Sequence, residues 1–227
     1  MRSRDFADLL IARFPTFLEA YDRHCPFTSY GQLEYHVKTI QHRRNLSSAE
    51  AAIKDVSFQE NLYRTLQAWR IGARASILQP FPHFVAALHA KAAEIQELDG
   101  LAIDQHNLDI QRVANKLARL VQSLDIVDNK ARVVPGSKAL HHLLPDLVVP
   151  IDREYTQRFF DWPNPRFQNF PEECFVEAFH TFVRIARATN PAQYVKNGWY
   201  TSRTKVIDNA VVGLWRYARY ELNKQAS

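Results

Sequence analysis

The chain has 227 residues, enough to bury a full core in one large domain or two small ones. Hydrophobic residues make up 46% and charged residues 23%, while the scarcity of glycine and of alternating apolar runs argues against a β-rich fold. The net charge of +5 and pI near 9.2 favour an anionic partner, nucleic acid first, without requiring one; a protein partner is the alternative. No apolar run approaches bilayer length, so no membrane partner is expected, and the N-terminal MRSRDFADLLIARF reads as an amphipathic helix and not as a signal peptide. Cys25 and Cys174 have no metal-type spacing and read as reduced thiols of a cytoplasmic protein, with one disulfide as the alternative.

Residues 5–14 place Phe6, Leu9 and Leu10 at helical spacing; Pro15 interrupts, and the pattern resumes through Phe17, Leu18 and Tyr21. A second helix over 30–42 carries Leu33, Val37 and Ile40 on one face and ends in the polar group His42, Arg43, Arg44 and Asn45. Ser47 or Ser48 is expected to cap a short helix. Ser57, followed by Glu60, is the expected cap of the next, whose stripe is Phe58, Leu62, Leu66 and Trp69 and whose end is Gly72. Arg64, Arg70 and Arg74 lie along or just beyond it. Residues 82–98 form a helix with Val85, Leu88, Ala92 and Ile95 inward, stopped by Asp99-Gly100. The most regular amphipathic element is 105–125, with Ile110, Val113, Leu117, Leu120 and Leu124 on one stripe and Arg112, Lys116 and Arg119 opposite. Pro171 opens a helix that buries Phe175, Phe179, Phe182 and Val183, and a last helix spans about 203–223. These elements predict an all-α fold of roughly eight to ten helices, with at most a trace of strand near 147–151. The expectation is a single domain over 1–227, with 1–125 and 126–227 as candidate lobes around a cleft.

Residues 132–162, RVVPGSKALHHLLPDLVVPIDREYTQRFFDW, are the densest in special residues. Pro135-Gly136 reads as a turn, Ser137 as an N-cap and Lys138 as the first helical residue. A helix N-terminus lowers a lysine pKa, and a deprotonated lysine is a nucleophile able to form a Schiff base. A solvated surface lysine or a phosphate anchor is the plainer reading. Pro145-Asp146 ends the helix, and the apolar run Leu147 to Ile151 delivers Asp152 to another helix start. There it is either an N-cap or a carboxylate facing a cleft. His141 and His142 are adjacent and point in different directions on a helix, so no metal site is expected from them, and no cofactor motif occurs in the chain.

This arrangement resembles the core of the helix-hairpin-helix DNA glycosylases, a family of base-excision repair enzymes. The residues carrying the likeness are Pro135, Gly136 and Lys138 for the hairpin and Val149-Pro150-Ile151-Asp152 for the segment before the aspartate. The resemblance implies that Lys138 forms a Schiff base, that Asp152 supports departure of the base, and that the hairpin holds the DNA backbone. Residues expected on nucleic acid are then Gly136, Ser137, His142 and Arg153, with Arg43, Arg44, Lys116 and Arg119 on phosphates. The stretch SKALHHLLPDLVVPIDREYT also resembles a group of uncharacterised bacterial helical proteins, which implies no activity.

Lys205 and Asp208 stand at i, i+3 and read as a local salt bridge before a catalytic pair. Trp162, Phe167, Phe170, Trp199 and Tyr200 fall in two irregular stretches, where they either plug a loop onto the core or stack on a base. The leading functional expectation is therefore a DNA N-glycosylase, a hydrolase or lyase of DNA repair. A non-enzymatic helical module of a mobile-element or defence system, binding nucleic acid or protein, is the alternative. A third is a small-molecule enzyme with its pocket between the central stretch and the last helix.

Overall fold

The computed structural model describes residues 3–29, 31–71, 77–129 and 131–222; Gly72 and Arg74, assigned above to a helix end, lie outside them. The described residues are all-helical, with thirteen α-helices of which nine have seven residues or more. None is long and apolar enough to cross a membrane. Strand pairing among them is limited to one isolated bridge, Leu78 with Val127. The trace of strand expected near 147–151 is not formed: Leu147 ends a turn, and 148–151 are irregular and tied to a helix by Ile151 N.

Helices α1 (Ser3–Ala12) and α2 (Phe14–His24) are separated where expected, with Pro15 in the first turn of α2, where no backbone donor is needed. Helix α2 packs along α13 (Arg203–Tyr217). Gly213 permits this approach: a Cβ there would lie 1.8 Å from the Phe17 carbonyl oxygen. Helix α8 (Ile110–Ser123) packs on α12 (Pro171–Thr189), burying Val113, Leu117 and Leu120 as the periodicity requires. Both pairings join elements from either side of residue 125.

Several local expectations are corrected. One is resolved as expected: helix α4 (Ala49–Lys54) is capped by Ser48, one of the two candidates, whose side chain accepts from Ala51 N. Helix α5 (Val56–Ala68) is capped by Asp55, accepting from Phe58 N at 2.7 Å, while Ser57 is an exposed helical residue. The 82–98 segment breaks at Lys91 into α6 (Phe81–Ala90) and α7 (Ala92–Gln96). Helix α3 (Gln32–Asn45) buries Ile40 of the apolar stripe but is rotated by part of a turn: Leu33 is 36% exposed and Val37 half-buried, while Gln32, His36, Thr39 and Arg43 are buried. That rotation brings Gln32 and His36 towards the site.

Candidate active site

Helix α9 (Val133–Leu143) begins earlier than the Pro-Gly signal suggests. Gly136 N donates to the Arg132 carbonyl at 2.8 Å, so the first turn already encloses the proline and Lys138 lies well inside the helix. The Pro135-Gly136 pair is therefore not a hairpin turn. Pro135 sits in the first turn, and Gly136 makes room for α8, since a Cβ would come within 2.8 Å of the Val121 carbonyl oxygen. The helix-dipole argument for Lys138 falls with that correction.

Ser137 is not a cap either. It is fully buried, and its hydroxyl donates to the Val134 carbonyl and accepts from Ile151 N, both at 3.0 Å. This bond ties the apolar run to α9. Leu147, Val148, Val149 and Ile151 are buried beneath it, so the chain returns alongside the helix and Asp152 emerges near Lys138. Asp152 then caps the turn before α10 (Thr156–Phe159), with Oδ1 accepting from Tyr155 N at 2.6 Å and Thr156 N at 3.3 Å.

Lys138 and Asp152 line one cavity of about 400 Å³. Pro150, Lys205 and Asp208 complete its polar and central walls, and Phe27, Gln32, Trp69 and Trp199 the remainder. Lys138 Nζ stands 5.4 Å from the Trp69 ring centroid and makes no hydrogen bond or ion pair among the described residues. Burial pulls its pKa below the usual lysine value, Lys205 adds to this, and Asp152 and Asp208 oppose it. Asp152 is shifted upward, first by burial and then by Asp208, against the pull of Lys138 and the capping amides. A lysine moved towards its free amine beside a carboxylate in an aromatic-walled cavity is a chemically competent arrangement.

Lys205 and Asp208 are paired as the spacing suggests, but not on the surface. Lys205 is 1% and Asp208 6% exposed, and Lys205 Nζ donates to Asp208 Oδ2 and Asn209 Oδ1, both at 2.6 Å. The lysine head is surrounded by the rings of Tyr21, Phe27 and Trp199 at 5.0–5.7 Å. Asn209 Nδ2 in turn donates to the Trp199 carbonyl at 2.9 Å, fixing that residue to α13.

The residues expected on nucleic acid separate into two groups. Gly136, Ser137 and His142 are buried, and Arg43, 7% exposed, donates to the Leu143 carbonyl and to Asp99. These four hold the fold and cannot reach a phosphate. Arg44, Arg119 and Arg153 are exposed; Arg44 also donates to the Thr201 carbonyl at 2.6 Å, and Arg153 lies 6.0 Å from the Phe167 ring. Lys116 is half-buried and paired with Glu97. Of the loop aromatics, Trp162, Phe167 and Tyr200 plug the core, Phe170 is exposed, and Trp199 faces the cavity.

Sequence reasoning missed Phe27, Gln32 and Pro150 as wall residues, treated Trp69 as core, and overlooked His36. One signal could have found the last: Gln32, His36, Thr39 and Arg43 recur at helical spacing, a polar stripe as regular as an apolar one. Among the described residues no group of histidines, cysteines and carboxylates is arranged to hold a metal ion. The chain matches no protein-family model, no curated protein and no solved structure.

Proposed function

We propose that the protein excises a base from DNA by cleaving its N-glycosidic bond in this cavity, with Lys138 as nucleophile and Asp152 as the supporting carboxylate. The observation that carries the reading is the meeting of Lys138 and Asp152, fourteen positions apart (152 − 138), on one open, tryptophan-walled cavity. The cavity is open to solvent, so a flipped nucleotide base, which such enzymes draw out of the duplex to reach the scissile bond, would enter it from outside. Trp69 and Trp199 supply flat faces for stacking, and the Lys205–Asp208 pair offers a donor and an acceptor to the polar edge of the ring.

In this reading the free amine of Lys138 attacks C1′. The Nζ–C1′ bond forms while the bond to the base breaks, and the base leaves with the electron pair and takes up one of the two Nζ protons. Asp152 offsets the positive charge that develops on the sugar. Transfer of an Nζ proton to O4′ as the C1′–O4′ bond opens then gives an imine. Asp152 Oδ2 makes no hydrogen bond among the described residues, so it is available for this while Oδ1 caps the turn.

The test is a panel of duplexes bearing oxidised, alkylated or deaminated bases, incubated with the protein and then reduced with borohydride. A covalent protein–DNA adduct that disappears in Lys138→Ala is the expected result. Neither adduct nor abasic product across the panel would overturn the reading. The cavity also lies between the central stretch and the last helix, where a small-molecule enzyme would have its pocket; turnover of a free nucleoside without any action on duplex DNA would select that reading instead.

A further inference from the structure

Behind the cavity's tryptophans lie three histidines that do not line it. His36 of α3 and His141 and His142 of α9 are each fully buried. His142 Nδ1 is 2.7 Å from the Lys138 carbonyl oxygen, which can only accept, so Nδ1 carries the proton and Nε2 a lone pair. His36 Nδ1, 2.9 Å from that Nε2, must then be the donor, and His36 Nε2 accepts from the Thr201 hydroxyl at 2.8 Å. With His36 neutral, as its burial favours, every role in the chain Thr201 to His36 to His142 to the Lys138 carbonyl is fixed. Burial, together with His142, His141 and Lys205, holds the pKa of His36 well below the usual histidine value.

The same ring sets the tryptophans. His36 stacks on Trp199 at 5.5 Å and 19°, and on its other side on His141 at 5.7 Å and 17°. Its centroid is 5.1 Å from that of Trp69. A core apolar residue would fill this space, but it could not hold a ring orientation through hydrogen bonds at both edges. The two tryptophans come from distant parts of the chain, one at the end of α5 and one in the loop before α13, and His36 touches both. We propose that His36 is a positioning residue that fixes Trp69 and Trp199 as the stacking wall of the cavity, acting through them without touching the ligand. This deepens the base-excision reading and rests on it only for what the wall stacks against.

Near-ultraviolet circular dichroism reads the fixed setting of tryptophans, with Trp69→Phe and Trp199→Phe assigning their share of the signal and Trp162 and Trp215 as internal controls. His36→Leu should lose most of the Trp69 and Trp199 share. His36→Gln, whose amide can donate and accept, should retain most of it. Thr201→Val removes only the hydroxyl that donates to Nε2; it should lose part of the share, and it carries the test if His36→Leu does not fold. On a duplex found to be cleaved, the same variants should raise KM about tenfold, the scale of one weakened stacking contact, with kcat little changed. An unchanged Trp69 and Trp199 share in the folded variants would overturn the proposal. So would a loss shared equally by Trp162 and Trp215, since that marks general loosening. If wild-type protein cleaves no duplex, the base-excision reading fails while the dichroism still decides this one.

Discussion

Two lysine–aspartate pairs face the same cavity, and they differ in how they are satisfied. Lys205 and Asp208 come from one helix turn, bond each other at 2.6 Å and are almost wholly buried. Lys138 and Asp152 come from different elements; the aspartate spends one oxygen on backbone amides, and the lysine has only the Trp69 face within reach. A charge that already has its partner is stable and chemically quiet, whereas a partly buried ammonium without a bonded partner is biased towards the free amine. In the proposed reading the reaction falls to Lys138 and Asp152 and support to Lys205 and Asp208, and the contrast can be broken by substituting one lysine at a time.

The largest effect is expected at Lys138. Lys138→Ala should remove the borohydride-trapped adduct and lower single-turnover excision by at least about a thousandfold, as loss of a covalent nucleophile does. Its melting temperature should stay the same or rise slightly, because the folded state disfavours this ammonium. A variant that unfolds, or that excises at the wild-type rate, would contradict the assignment.

Lys205→Ala should do the reverse at the level of the fold. It strands the Asp208 carboxylate and the Asn209 carbonyl in the interior, and removing one member of a buried pair costs about 3–5 kcal/mol. Lys205→Met combined with Asp208→Leu should cost less than either change alone, because no unpaired charge remains. Urea unfolding of the two single variants and the double variant measures this. Additive losses would mean that the pair is not coupled.

The same contrast explains what could be read from the chain beforehand. Helix α8 was legible because its inward face is apolar, so Val113, Leu117 and Leu120 announce their burial. Of the apolar stripe of helix α3 only Ile40 is fully buried, because the helix packs against polar groups of the site, and its buried Gln32, His36, Thr39 and Arg43 look like surface residues. Lys138 and Asp152 stood out by local density, but the route that joins them did not. The Ser137–Ile151 bond and the contact of Gly136 with Val121 are tertiary, and a local reading turns the first into a cap and the second into a turn. Phe27, Trp69 and Trp199 are brought together only by the completed packing.

The histidines behind the first pair give a pH dependence of intermediate size. In the folded chain burial lowers all three, with His142 at about 4 against the usual 6.5. The unfolded chain therefore takes up protons as the pH falls through 6.5, and the folded chain does not until lower pH. Their contribution is complete above about pH 6.5 and is lost progressively below it; for His142 alone it amounts to roughly 3 kcal/mol. Denaturant unfolding at pH 5 and 7.5 should show a steep loss at the acid side, reduced in His142→Gln. A stability equal at the two pH values would mean that these rings are not buried neutral.

A small loss of stability is expected at Asp152, and two substitutions separate its two tasks. As a cap, Oδ1 accepts from Tyr155 N, and an asparagine oxygen accepts that bond nearly as well. Asp152→Asn should therefore melt within a degree or two of wild type, whereas Asp152→Ala should lose about 0.5–2 kcal/mol. As a supporting carboxylate, Asp152 contributes charge, which asparagine lacks. Excision should then fall at least about a hundredfold in Asp152→Asn despite its intact fold, a loss typical of one removed electrostatic contact at the reacting centre. Full activity in Asp152→Asn would leave the residue as a cap alone and would place the work of the cavity on Lys138 and the Lys205–Asp208 pair.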